Sequence, residues 1–155
     1  MTKRRRSDCP ITFALDTFGD RWSLLIIRDI VYFGKKTYGE FLESDEGIAT
    51  NILASRLAEL EQSGILVKKP HPTDKRKEVY SLTESGLDLI PLLLDMASWS
   101  ARHDPQSSAP EAWIALVNAD RENMIRLIRD TVCSGGAIFV GPDSLVSQLA
   151  QNGKL

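Results

Sequence analysis

Residues 47–86 read GIATNILASRLAELEQSGILVKKPHPTDKRKEVYSLTESG, and the order of elements in this stretch decides the fold. Leu53, Leu57 and Leu60 recur at i, i+4 and i+7, which predicts a helix with one apolar stripe turned to a core. At about 100° per residue, Asn51 and Ser55 then point away from that core. Short polar side chains on an outward face suit the floor of a DNA major groove. Beyond Gly64, residues 65–69 and 78–82 alternate as two strands. Between and within them Lys68, Lys69, Lys75, Arg76 and Lys77 face a single acid, Asp74, over residues 67–77. A helix followed by a basic hairpin predicts an element that meets a duplex.

The bulk composition fits that expectation once charge is located rather than summed. The chain has 155 residues, 43% of them hydrophobic, enough for one core with a substantial appendage. Its formal charge is −2, yet residues 1–103 balance at zero and residues 104–155 carry the deficit. Within the neutral part the cations gather at Lys3–Arg6 and in the hairpin, and the local field is what phosphates meet. Two cysteines, Cys9 and Cys133, are too few for a disulfide scaffold and fit a reducing compartment. The basic N-terminus lacks an apolar h-region, and no run approaches the ~20 apolar residues of a membrane span. A cytosolic protein without membrane association is expected.

Around the central stretch the chain reads as mainly helical. Pro10 opens a helix to about Phe18 with Ile11, Leu15 and Phe18 on one face. Asp20 caps a second over 21–33, with Trp22, Leu25, Ile26 and Ile30 inward. A short helix at 38–43, a turn at 44–47 and the helix at 50–62 form a helix-turn-helix. Thr83 caps a long helix to about His103, apolar around most of its circumference and kinked by Pro91, so it is expected to be buried on two sides, the second by another copy of the chain. Residues 104–110, DPQSSAP, read as a linker. Beyond it come an amphipathic stretch at 111–132 that breaks near 118–120, a short apolar run at 137–140 and a last helix at 142–151. The expected fold class is mainly α with a small two-stranded β wing: a winged helix-turn-helix plus a mostly helical C-terminal extension. The domain expectation is 1–103 for DNA binding and dimerisation, and 104–155 as an extension for interaction or oligomerisation.

Four motifs in order, Cys9-Pro10-Ile11, Gly19-Asp20-Arg21-Trp22, Ser55-Arg56-Leu57-Ala58-Glu59-Leu60-Glu61 and Tyr80-Ser81-Leu82-Thr83-Glu84-Ser85-Gly86, closely resemble HxlR-type bacterial transcription regulators, relatives of MarR-type repressors. The resemblance covers about residues 8–103 and implies a homodimer on inverted-repeat operator DNA, with the helix at 50–62 in the major groove and the hairpin as wing. Two departures stand out. Ala49 occupies a place usually held by serine, a task that Thr50 is expected to take over. The wing lacks the usual proline pair, and Asp74-Lys75-Arg76 looks more like the MarR-type wing, whose arginine enters the minor groove.

Each candidate residue has a bland alternative. Asn51 and Ser55 read base edges or form a merely solvated face. Arg56 reaches a phosphate, or pairs with Glu59 or Glu43 to brace the fold. Arg76 is the minor-groove candidate, because a narrow groove concentrates negative potential. Lys68, Lys69, Lys75 and Lys77, with Lys35 and Lys36, are expected to position the protein on phosphates, and Lys3–Arg6 to add counterion release or nothing specific. Cys9 sits at a helix N-terminus, where the partial positive charge stabilises a thiolate. The resemblance implies a redox switch in this place, against a plain packing role. Cys133 is a resolving partner for Cys9 or, the reading favoured here, a core residue. Trp22, Leu89, Met96 and Trp99 are candidates to line a cleft for a small-molecule inducer, or are simply core. His71 and His103 are isolated, so no zinc set, and no catalytic or cofactor motif, can be assembled. The leading reading is therefore no enzyme but a dimeric, DNA-binding transcription regulator, a repressor relieved by cysteine modification or a small ligand. The alternative is a winged-helix interaction or scaffold module docking through 104–155. A third reading makes 104–155 a separate ligand-sensing or oligomerisation unit.

Overall fold

The computed structural model describes residues 5–155, so Lys3 and Arg4 of the expected basic arm lie outside the described residues. Proline at the first helical position starts α1 (Pro10–Phe18), which ends at Gly19 and has no buried residue. Of the predicted Ile11–Leu15–Phe18 face, Ile11 and Leu15 are 67% and 56% exposed and Phe18 is half-buried, while Phe13, on the opposite side of the helix, is 61% exposed. The Asp20 carboxylate accepts from the N–H groups of Trp22 (2.8 Å) and Ser23 (3.0 Å), and α2 (Ser23–Phe33) begins there, two residues later than its predicted start.

A reciprocal capping box starts α3 (Tyr38–Leu42): the Thr37 hydroxyl accepts from the Glu40 N–H, and the Glu40 carboxylate accepts from the Thr37 N–H at 2.8 Å. Next comes α4 (Thr50–Gln62), with Leu53, Leu57 and Leu60 sealed in the core. Gly64, at φ 72°, turns the chain into the hairpin through a conformation that costs a side-chain-bearing residue energy.

Strands β1 (Leu66–Pro70) and β2 (Glu78–Leu82) pair antiparallel, Leu66 opposite Leu82 and Pro70 opposite Glu78. β1 begins one residue later than predicted because Ile65 is committed elsewhere: its N–H donates to Leu60 and its carbonyl accepts from the Thr83 N–H. The Tyr80 N–H donates to the Lys36 carbonyl at 2.7 Å, which fastens the hairpin to the turn before α3.

The long helix expected from Thr83 is two helices, α5 (Glu84–Leu87) and α6 (Ile90–His103). Pro91 lies in the first turn of α6, where its missing N–H costs nothing, so the proline opens a helix instead of kinking one. Ile90, Leu93 and Leu94 of α6 are buried, whereas Met96 and Trp99 are 46% and 59% exposed. A β-carbon at Gly86 would lie 2.4 Å from the Ile65 carbonyl oxygen, so only glycine lets α5 pass this close to the residue that precedes β1.

The extension forms α7 (Glu111–Ala119), α8 (Arg121–Cys133) and α9 (Leu145–Gln151). Trp113, Val117, Met124, Ile128 and Leu145 join the same core as Ile27, Ile30 and Leu94. The apolar run at 137–140 is not a strand. Its Ile138 and Phe139 N–H groups donate to the carbonyls of Val31 and Tyr32 at the end of α2, supplying partners that a helix terminus otherwise lacks. Cys133 is exposed at the end of α8, not in the core.

Candidate nucleic-acid interface

The outward face of α4 carries Thr50, Asn51 and Ser55, all exposed. Ala49 is the N-cap and no side chain caps the helix, so Thr50 does not replace the expected serine as a cap. Instead its carbonyl accepts the Tyr38 hydroxyl at 2.8 Å. Tyr38 also lines a cleft of about 530 Å³ together with Thr37, Gly39, Lys75, Arg76 and Lys77. One tyrosine thus fastens the start of α3 to the start of α4 and faces the cleft that the cationic tip of the wing also borders.

The tip is ordered by its own hydrogen bonds. Nδ1 of His71 accepts from the N–H groups of Thr73 (3.2 Å) and Asp74 (3.1 Å), and the His71 N–H donates to the Lys77 carbonyl. The Asp74 carboxylate accepts from the Arg76 N–H at 3.1 Å and pairs with its guanidinium at 3.2 Å, which holds Asp74 below the usual carboxylate range. Arg76 remains 89% exposed. An ion pair that open to water is worth about 0–1 kcal/mol, too little to keep the guanidinium from a phosphate or groove. Lys69, Lys75 and Lys77 are exposed and have no carboxylate partner among the described residues.

Other predicted contacts are committed to the fold. Arg56 pairs with Glu59 at 2.7 Å and Asp20 at 3.6 Å, not with Glu43, and is three-quarters buried, so it braces α4 against the start of α2. Lys68 lies between Glu61 and Glu78 at 3.8 and 3.4 Å. The Lys35 ammonium donates to Ser44 Oγ at 2.7 Å and pairs with Asp29, and Lys36 donates to the Gly135 carbonyl at 2.9 Å.

Sequence reasoning missed the ion-pair knot behind α4. Arg28 donates to Glu46 through Nη1 (2.5 Å) and Nη2 (3.0 Å) and to Asp29 through Nε (3.0 Å), while Ser44 donates to Asp29. This fixes the turn that delivers Ala49 and Thr50 to the start of α4. The signal was a charged pair, Arg28-Asp29, inside the otherwise apolar run of α2. Hydrogen bonding to Arg28 pulls the Glu46 carboxyl from its ordinary 4.5 to about 2. A depressed carboxylate contributes stability above its unfolded value and loses it as pH falls through the folded one. The wild-type melting temperature should therefore drop between pH 4.5 and 2 more steeply than that of Glu46→Gln. Parallel curves would contradict the linkage.

The profile of the HxlR-like helix-turn-helix family matches residues 17–108. The chain belongs to the HxlR family. Among HxlR-type relatives, the HTH-type transcriptional regulator Rv3095 of Mycobacterium tuberculosis is 34% identical over 97 residues, which is 63% of this chain and 60% of that relative's length. The solved structure of PA1607, a candidate transcription factor, superposes with a TM-score of 0.61 at 38% identity, covering 67% of this chain and 72% of that one. The redox regulator HypR in its oxidised form gives a TM-score of 0.55 at 33% identity, over 61% of this chain and 97% of that one. These likenesses bear out the winged helix-turn-helix, mainly helical with a two-stranded sheet, that the sequence predicted.

Within the HxlR frame, Cys9 stands exposed at the N-cap of α1. The nearby N–H groups of Thr12 and Ile11 and the Thr12 hydroxyl, at the exposed start of the helix, hold its thiol below the ordinary range. Cys133 borders a different cleft, beside Lys36 and the root of the wing. The four residues expected to line an inducer cleft are not brought together in this chain. Trp22 borders a small crevice against Phe41 and Leu53, Leu89 is half-buried, and Met96 and Trp99 face outward.

Proposed function

We propose that this HxlR-family protein is a dimeric, sequence-specific DNA-binding transcription regulator, a repressor released by modification of Cys9 or by a small ligand. The observation that carries this reading is Tyr38, which ties the exposed start of α4 to the cleft lined by Lys75, Arg76 and Lys77. A polar helix face beside a preordered cationic tip supplies both terms of duplex recognition: base-edge donors and acceptors on the helix, phosphate partners on the wing. Asn51 and Ser55 take the base-reading role, Arg76 the minor groove, and Lys69, Lys75 and Lys77 the backbone. Arg56, Lys35, Lys36 and Lys68 support the frame. A second copy covers Ile11 and Leu15 on one side of α1 and Phe13 on the other, with Met96 and Trp99 of α6, since this many large apolar side chains left in water mark an interface. Cys9 lies at the start of that same helix, so a bulky or charged adduct there disturbs the dimer and with it the spacing of the two α4 helices. The redox regulator HypR among the structural neighbours supports this role for Cys9.

Base contacts and phosphate contacts separate by their signatures. Asn51→Ala with Ser55→Ala should weaken binding to the operator by about 1–3 kcal/mol per lost base contact and leave affinity for random DNA unchanged. Lys75→Ala should weaken both equally and reduce the salt dependence. Fluorescence anisotropy on operator and random duplexes measures both. An Asn51/Ser55 variant with unaltered operator preference would overturn the assignment.

A further inference from the structure

The largely apolar cavity on the far side of α2 is built in part by residues outside the matched family segment. It has a volume of about 430 Å³, and its walls include Arg28, Tyr32 and Phe33 of α2, Ser100 of α6, and Trp113 and Phe139 of the extension. That volume lies within the range of small-molecule sites. Phe139 meets Trp113 with ring centroids 5.4 Å apart and Tyr32 at 5.8 Å, both edge-on, so the three rings brace one another.

Two polar groups of these side chains lack a partner among the described residues. The Tyr32 hydroxyl and Trp113 Nε1 are buried with no hydrogen bond there, and Trp113 is only 3% exposed. Buried donors are nearly always paired, because leaving one unpaired forfeits its hydration with nothing in return. The indole N–H can only donate. Burial pushes the Tyr32 hydroxyl up to about 12, so it too stays protonated and able to donate. Arg28, the cation in the wall, is already matched by Glu46 and Asp29, so an anion entering the cavity would find no free positive charge there.

We propose that this cavity is an effector site for a small, uncharged aromatic carbonyl compound. The ring lies among Phe33, Trp113 and Phe139, and a small opening of these side chains lets the carbonyl oxygen accept from Trp113 Nε1, from the Tyr32 hydroxyl, or from both. The consequence for DNA follows from Arg28, whose side chain forms part of the cavity wall while its guanidinium grips Glu46 in the turn before α4. An occupant that shifts Arg28 shifts the delivery of α4. That consequence rests on the regulator reading above, whereas occupancy itself is measured without DNA, so the two fail separately.

The test is a titration of the ¹⁵N-labelled full chain with acetophenone, with ethylbenzene as the shape mimic lacking the oxygen and benzoate as the anion. Acetophenone should shift the Trp113 indole N–H resonance saturably and leave that of exposed Trp99 in place. Ethylbenzene and benzoate should each bind at least about fivefold more weakly, the worth of one net hydrogen bond. Ser100→Phe, which fills the cavity from a half-buried position, should abolish the acetophenone shift. No saturable shift at Trp113, equal affinity for acetophenone and ethylbenzene, or undiminished binding in a folded Ser100→Phe protein would each overturn the proposal. If Ser100→Phe does not fold, the comparison of acetophenone with ethylbenzene on the wild-type chain decides alone.

Discussion

Arg76→Glu combined with Lys77→Glu should weaken binding to any duplex by about a hundredfold or more at physiological salt, while the melting temperature moves little. The loss is large because each change removes a cation from the phosphates and puts an anion in its place, at a tip that His71 and Asp74 hold in one shape. Counterion release makes the effect salt-dependent, so the slope of log K against log salt should fall by about one for each phosphate contact removed. Stability should hardly change, since Arg76 is 89% exposed and its pairing with Asp74 is a surface ion pair. Full DNA binding by the reversed wing would show that Arg76 and Lys77 do not meet the duplex and would remove the wing from the interface.

Phe13→Asp with Leu15→Asp should convert the protein from a particle of twice 17.3 kDa to the single chain, read by sedimentation or light scattering. Both residues are more than half exposed in the chain alone, so the change costs the isolated fold almost nothing. In the dimer it places carboxylates in an apolar contact, where an unpaired charge costs several kcal/mol. Operator affinity should fall with the dimer, because each monomer then holds one half-site without help from its partner. A wild-type chain that is monomeric at micromolar concentration would contradict the role given to α1. A variant that stays dimeric would move the interface to another surface.

The sequence shows where elements begin and which of their faces are apolar, but not what covers those faces. Thr50–Gln62 and Glu78–Leu82 fall where the leucine spacing and the strand alternation put them, because both patterns are local and the turns around them carry glycine or a basic loop. The face of α1 was equally legible, yet periodicity does not say whether Ile11 and Leu15 meet their own chain or another. The break before Ile90 was missed because proline at a first helical turn and proline in a helix interior leave the same mark in a sequence. The cations of the hairpin were legible in the sequence, and which of the predicted cations the fold pairs internally was not. Arg56, Lys35 and Lys36 meet Asp20, Asp29 and Gly135 only after the chain has folded, at separations that no local pattern encodes. Tyr38 and the Arg28–Glu46 pair were missed for the same reason.

The most direct measurement of the central claim is anisotropy of the reduced protein on a labelled fragment from upstream of its own gene, against random DNA at the same salt. Specific regulators bind their sites roughly 10³–10⁷-fold more tightly than other sequences. The account predicts saturable binding to the upstream fragment with a preference in that range, lost on reversal of Arg76 and Lys77. Equal weak binding to both duplexes, unaltered by that reversal, would contradict it.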